Sequence, residues 1–172
     1  MKTILATGQF LTLVREGHWE YAERVQERGA VLIVALTDSE EVLLVEQYRV
    51  PLHAPVIELP AGIIGDEPLS GGESRAEAAR RELLEETGYA AEKMEPLIAG
   101  PGSSGMSSEI VTLFRATGLR RAGAGGGVAH EKIVLHQVPL RQAFDWLRDQ
   151  AGAGLLIDPK VYAGLYFLEN RR

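Results

Sequence analysis

The chain contains no cysteine in its 172 residues. This excludes disulfides, thiolate metal ligands and thiol nucleophiles together, and it fits a reducing compartment, so a cytoplasmic protein is expected. Long apolar runs are also missing. The longest, Ala30 to Leu36, falls far short of the roughly 20 residues that span a bilayer, so no membrane partner is expected. Met1-Lys2-Thr3 is not followed by a long apolar segment with a small-residue cleavage site, and no signal peptide is expected. Positive charge is scarce. Lys and Arg total 18 against 24 Asp and Glu, a net charge of −6, which argues against a nucleic-acid partner. A small phosphorylated ligand stays compatible with this balance, because a metal can mask repulsion between anions. There is no internal repeat or composition break, so residues 1–172 are expected to form one domain.

What is present reads as a mixture of strands and helices. Phe10 to Val14 and Trp19 to Val25 suit short strands around a turn at Glu16-Gly17. Ala30 to Leu36 is continuously apolar, as for a strand buried on both faces. Val42 to Tyr48 follows a turn at residues 38–41, and the two are expected to pair as a hairpin. Val56 to Leu59, Lys93 to Ala99, Ile110 to Ala116 and Ile133 to Val138 are further strands. Gly118 to Gly127, with five glycines in ten residues, reads as a flexible loop. Helices are expected from Ser74, over Pro139 to Gln150, and after Asp158-Pro159, an N-cap followed by proline at N1. The four histidines, His18, His53, His130 and His136, show no ligand spacing and are expected at the surface.

The helix after Ser74 holds the chemistry. Ser74 and Glu77 form an S-x-x-E capping box, Ala76, Ala79 and Leu83 make an apolar face, and Gly88 suits the C′ position. At about 100° per residue, Glu82, Glu85 and Glu86 fall within an arc of roughly 100°. Like charges at this spacing repel. A cation in front of them explains the cluster, and hard oxygen donors point to Mg²⁺, with Mn²⁺ as the alternative.

Arg81-Glu82-Leu83-Leu84-Glu85-Glu86-Thr87-Gly88-Tyr89, with Glu73 upstream of Arg81, closely resembles the Nudix box, G-x5-E-x7-R-E-U-x-E-E-x-G-U, where U is bulky and apolar. The box glycine departs from the pattern. Glu67 stands where it should be, and Gly62 of Glu58-Leu59-Pro60-Ala61-Gly62 takes its place, which implies a five-residue insertion within Gly65 to Gly72. The resemblance implies an α/β (α+β) fold with a mixed β-sheet sandwiched between helices and an N-terminal antiparallel strand region. It implies hydrolysis of a nucleoside diphosphate linked to another moiety. By the family pattern Glu82, Glu85 and Glu86 are metal ligands together with the Ala61 carbonyl. Gly62, Glu73, Arg81 and Gly88 are structural residues of the box.

Pro101-Gly102 ahead of Glu109, and Glu46-Gln47-Tyr48-Arg49 ahead of Glu58, are similar to segments of ADP-ribose and nucleotide-sugar pyrophosphatases. That likeness implies a nucleoside diphosphate sugar as substrate, with Arg49, Glu58, Glu109 and Trp19 contacting it. It implies a homodimer formed through residues 1–28, and a base on a late loop, for which Glu131 is the candidate. Alternatives are another nucleotide sugar such as GDP-mannose, or a non-catalytic ligand-binding module of the same fold. The intact Glu82, Glu85 and Glu86 favour an enzyme.

Overall fold

The computed structural model describes residues 1–26, 29–65, 72–128 and 132–170. Eleven strands and three α-helices follow one another in these segments. Strands β1 (Lys2–Thr7), β2 (Leu11–Glu16) and β3 (Trp19–Arg24) form an antiparallel N-terminal sheet. Strands β4 (Ala30–Ala35), β7 (Ala61–Ile63), β8 (Tyr89–Pro101) and β9 (Ile110–Arg121) form a second sheet in the order β7-β4-β9-β8. A third sheet holds β5 (Glu41–Arg49), β6 (Ala54–Glu58), β10 (Ile133–Pro139) and β11 (Leu156–Ile157) in the order β10-β5-β6-β11. The helices are α1 (Arg75–Thr87), α2 (Ala143–Gly152) and α3 (Pro159–Glu169).

The alternation of side chains along β4 explains its unbroken apolar sequence. Val31, Ile33 and Ala35 point into one core with Ala78, Ala79 and Leu83 of α1. Leu32 and Val34 point into the other, with Leu147 of α2 and Val161, Leu165 and Leu168 of α3. A period of two therefore serves two cores, and neither face of the strand meets water. This is the expected mixed sheet arrangement between helices, with the N-terminal antiparallel sheet beside it.

The expected hairpin of β4 and β5 does not form. β4 pairs with β7 and, in parallel, with β9, while β5 pairs with β6 and β10. Only a bridge between Leu36 and Val42 joins them. Each strand satisfies its backbone groups with neighbours of its own sheet instead, and the turn at residues 38–41 carries the chain from one sheet to the other. Strands β8 and β9 run longer than expected, because Tyr89 to Pro101 and Ile110 to Arg121 pair along nearly their whole length. The segment expected as a flexible loop therefore starts as strand, and Gly118 sits in it at φ +66°. The rest of that segment lies against the end of α1. Gly126 N–H donates to Glu86 O and Gly127 N–H to Glu85 O. Three elements carried too little sequence signal to be expected: β1, β7 and the two-residue β11.

His136 also departs from expectation. It is half-buried between β5 and the helical layer, with Nε2 3.0 Å from Glu46 Oε2 and its ring 5.0 Å from that of Trp146. His130 lies outside the described residues. Among the described residues no helix is long and apolar enough to cross a membrane.

Candidate active site

Helix α1 starts as its sequence directs. Glu77 N–H donates to Ser74 Oγ at 3.2 Å, and Ser74 N–H donates to the Glu77 carboxylate at 2.8 Å, completing the capping box. These bonds hold the exposed Glu77 carboxyl below its ordinary range. At the far end Gly88 takes the left-handed conformation, φ +74°, with its N–H on Leu84 O. The helix is thus fixed at both ends, and its direction sets where Glu82, Glu85 and Glu86 point.

All three line one cavity of about 520 Å³. Glu82 and Glu86 are 9% and 4% exposed. Burial of carboxylates this deep demands partners, and the structure supplies them. Ala61 N–H donates to Glu86 Oε2 at 3.0 Å. Arg81 Nη1 donates to Glu82 Oε1 at 2.8 Å and to Glu85 Oε2 at 3.2 Å. Arg81 also holds Glu73, with Nε 3.0 Å from its Oε1, and Gly65 N–H donates to Glu73 Oε2 at 3.0 Å. Burial pushes the Glu73 carboxyl up, but the guanidinium and the Gly65 N–H outweigh it and hold it below the ordinary carboxylate range. Burial works against the Arg81 charge too, and Glu73 and Glu82 more than offset it. Arg81 is therefore the hub that ties the loop at Glu73 to the carboxylate wall of α1.

Gly62 makes room for that wall. A Cβ there would lie 1.9 Å from Glu82 Cδ. Its φ is not positive, so the reason for glycine is close approach rather than backbone conformation.

The opposite walls come from the sheets. Arg49 at the end of β5 donates to Glu58 Oε2 at the end of β6, from Nε at 2.9 Å and Nη2 at 2.5 Å. Arg24 of β3 pairs with Glu109 just before β9. Asp158 and Lys160, at the start of α3, complete the rim. Six carboxylates and four cations line the cavity. The excess of hard oxygen donors along α1 suits a divalent cation better than any further organic cation. Among the described residues these carboxylates do not already converge as a ligand set, and Arg81 bridges Glu82 and Glu85.

The structure thus brings Arg49, Glu58, Ala61, Gly62, Arg81, Glu82, Glu85, Glu86 and Glu109 to one cavity. Glu73 stands behind Arg81, and Gly88 closes α1. Trp19 is elsewhere. It is 56% exposed and lines a separate hollow of about 460 Å³ with Tyr21 and the serines of residues 104–108. Glu131 lies outside the described residues, as does most of the expected insertion, residues 66–71. Sequence reasoning missed Arg24, Asp158 and Lys160 as cavity residues. The Asp158-Pro159 cap signal was visible, but nothing local says that β11 sets this cap beside β6.

Comparison with known proteins points the same way. The NUDIX domain family model matches residues 26–148. The chain is 34% identical over 154 residues to a methanol dehydrogenase activator of Bacillus methanolicus, covering 89% of this chain and 78% of that protein. It is 42% identical over 94 residues to an ADP-ribose pyrophosphatase of Bacillus subtilis (strain 168), covering 55% of this chain and 48% of that protein. The match therefore spans about half the length of the latter relative. A crystal structure of an ADP compounds hydrolase superposes with a TM-score of 0.74 at 22% identity, covering 99% of this chain and 90% of that one. At that identity the superposition speaks for the fold.

Proposed function

The chain belongs to the NUDIX domain family, and from that footing we propose that it hydrolyses the diphosphate linkage of ADP-ribose or a related nucleoside diphosphate sugar. The products are a nucleoside monophosphate and a sugar phosphate. The observation that supports this most is the wall of Glu82, Glu85 and Glu86 on α1, which lines, together with Arg49, one cavity large enough for a nucleotide. The ADP-ribose pyrophosphatase among its relatives supports the choice of substrate class.

The reaction adds water to one phosphorus of the anhydride and breaks its bond to the bridging oxygen, which leaves with the other phosphate. Such a step needs charge neutralisation and alignment more than covalent chemistry. Glu82, Glu85 and Glu86, with the Ala61 carbonyl, would hold Mg²⁺, which would supply that neutralisation and activate water for attack. Arg49 holds a phosphoryl oxygen, oriented by Glu58 behind it. Glu58 and Glu109 accept hydrogen bonds from sugar hydroxyls. Glu131 takes the proton of the attacking water.

In this reading the enzyme is a cytoplasmic homodimer, and residues 1–172 form one domain. Support for the dimer lies in β1, an edge strand exposed along its whole length. Ile4, Leu11 and Leu13 on the N-terminal sheet, and Phe10 in the β1–β2 connection, are large apolar side chains facing solvent, and a second copy of the chain would cover them. A monomer at micromolar concentration in size-exclusion chromatography with light scattering removes this part of the reading.

The experiment that tests the function measures phosphate release from a panel of ADP-ribose, GDP-mannose and other nucleoside diphosphate sugars. It uses an added phosphatase to reveal monoesters, with Mg²⁺ and with EDTA. Metal-dependent release from ADP-ribose is expected. A folded protein that turns over no member of the panel points instead to a ligand-binding module.

A further inference from the structure

Three ion pairs around the cavity share one orientation: the carboxylate lies deeper than its cation. Arg49 is 41% exposed and Glu58 13%, Lys160 is 37% exposed and Asp158 15%, and Arg24 and Glu109 follow the same order. In each pair the less exposed carboxylate holds a more exposed cationic head, and both partners line the cavity. Lys160 is the member of this set that no motif points to. Its placement is doubly constrained. Asp158 Oδ1 accepts the Lys160 backbone N–H at 2.8 Å, and Asp158 Oδ2 lies 2.6 Å from Lys160 Nζ. Asp158 is itself anchored, since its N–H donates to Ile57 O at 2.9 Å. That bond sets the pair beside Glu58 and Arg49, one residue further along β6. Arg49 at the end of β5 and Lys160 at the start of α3 are therefore both tied to carboxylates at or next to β6, and both line the cavity.

We propose that Lys160 is a substrate-binding residue of this cavity, contacting a phosphoryl oxygen of the nucleoside diphosphate beside Arg49. The inference rests on the nucleotide-sugar reading above and adds a residue to it. A cap alone would explain the bond to the backbone N–H, but not the ion pair of Lys160 Nζ with Asp158 in the lining of a cavity with six carboxylates and four cations. An anionic ligand entering such a cavity meets net repulsion, so every cation on its path weighs on affinity. A compact ammonium on a flexible stem suits a phosphate as a point charge. Its carboxylate neighbour holds the ammonium in place while the cavity is open.

The test uses the full chain with Lys160→Met, Lys160→Arg and, as a control outside the cavity, Arg148→Met on the exposed face of α2. Binding of inorganic pyrophosphate with Mg²⁺ is measured by calorimetry at low and moderate salt, alongside ADP-ribose kinetics. Loss of one charge-assisted hydrogen bond predicts about tenfold weaker pyrophosphate binding for Lys160→Met, with a shallower salt dependence. Lys160→Arg restores most of it, and Arg148→Met matches the parent. With ADP-ribose the loss falls on KM rather than kcat. A Lys160→Met protein that binds pyrophosphate as tightly as the parent overturns the proposal. If the parent turns over no nucleotide sugar yet pyrophosphate binding still falls tenfold, the substrate reading fails and the anion contact of Lys160 stands.

Discussion

Gly62 on β7 and Glu82 on α1 are packed so that any side chain on the first would occupy the carboxylate of the second. A Cβ at Gly62 would lie 1.9 Å from Glu82 Cδ and 2.0 Å from Oε1. Gly62→Ala is therefore expected to move Glu82 while leaving the two cores intact. Displacing a residue that positions a metal ligand costs about 10–100-fold in metal affinity. A Mg²⁺ titration of activity checks this: the half-activating concentration rises by that factor while the circular dichroism stays unchanged. An unaltered titration would mean that Glu82 is not a ligand.

Glu86 is held by Ala61 N–H at 3.0 Å. In Glu86→Gln the amide oxygen can still accept that bond, so the substitution removes charge with little change in packing. We expect kcat to fall by at least about 10²-fold, the scale of losing one charge-stabilising group in a transition state, with a melting temperature near the parent's. A rate close to the parent's would sink the metal-ligand role of Glu86.

How legible was this site in the sequence? The α1 wall was readable because a helix repeats its geometry, so the spacing of Glu82, Glu85 and Glu86 fixes their common side wherever the helix goes. The capping box and Gly88 fixed its ends for the same local reason. The sheet partners were not readable. β4 and β5 look like a hairpin because they are adjacent and apolar, yet each pairs with strands distant in sequence, which no local pattern shows. Arg24, Asp158 and Lys160 reach the cavity only through pairings distant in sequence, such as the parallel register of Ile157 with Ile57. β7 carries Gly62 in only three residues, too few for any periodicity to show.

Glu73 offers a pH test. Its folded-state carboxyl lies below its ordinary value, owing to Arg81 and Gly65 against the pull of burial. A depressed carboxylate stabilises the folded chain fully above the unfolded value of about 4.3, and that contribution is lost as pH falls through the lower folded value. Glu73→Gln removes this contribution. Urea unfolding near neutrality should show a less stable variant, and the gap to the parent should close as the solution is made acidic through that window. A gap independent of pH would mean that Glu73 acts through packing alone.

Gly125 secures the far end of α1. It has φ +72°, and a Cβ there would stand 2.6 Å from the Thr87 carbonyl carbon. The next two residues donate to the carbonyls of Glu86 and Glu85, so this turn helps fix where those residues sit. Gly125→Ala must either strain the backbone or push the turn off the helix. Either route is expected to destabilise the chain by about 1–3 kcal/mol. Gly105, with open space around its Cα and no positive φ, is the matched control, and Gly105→Ala should stay within about 0.5 kcal/mol of the parent. The comparison has a second readout. If the turn positions the carboxylates, Gly125→Ala also weakens Mg²⁺ activation at temperatures where the protein is fully folded. Loss of stability with an unchanged Mg²⁺ titration would confine the turn to holding the helix end.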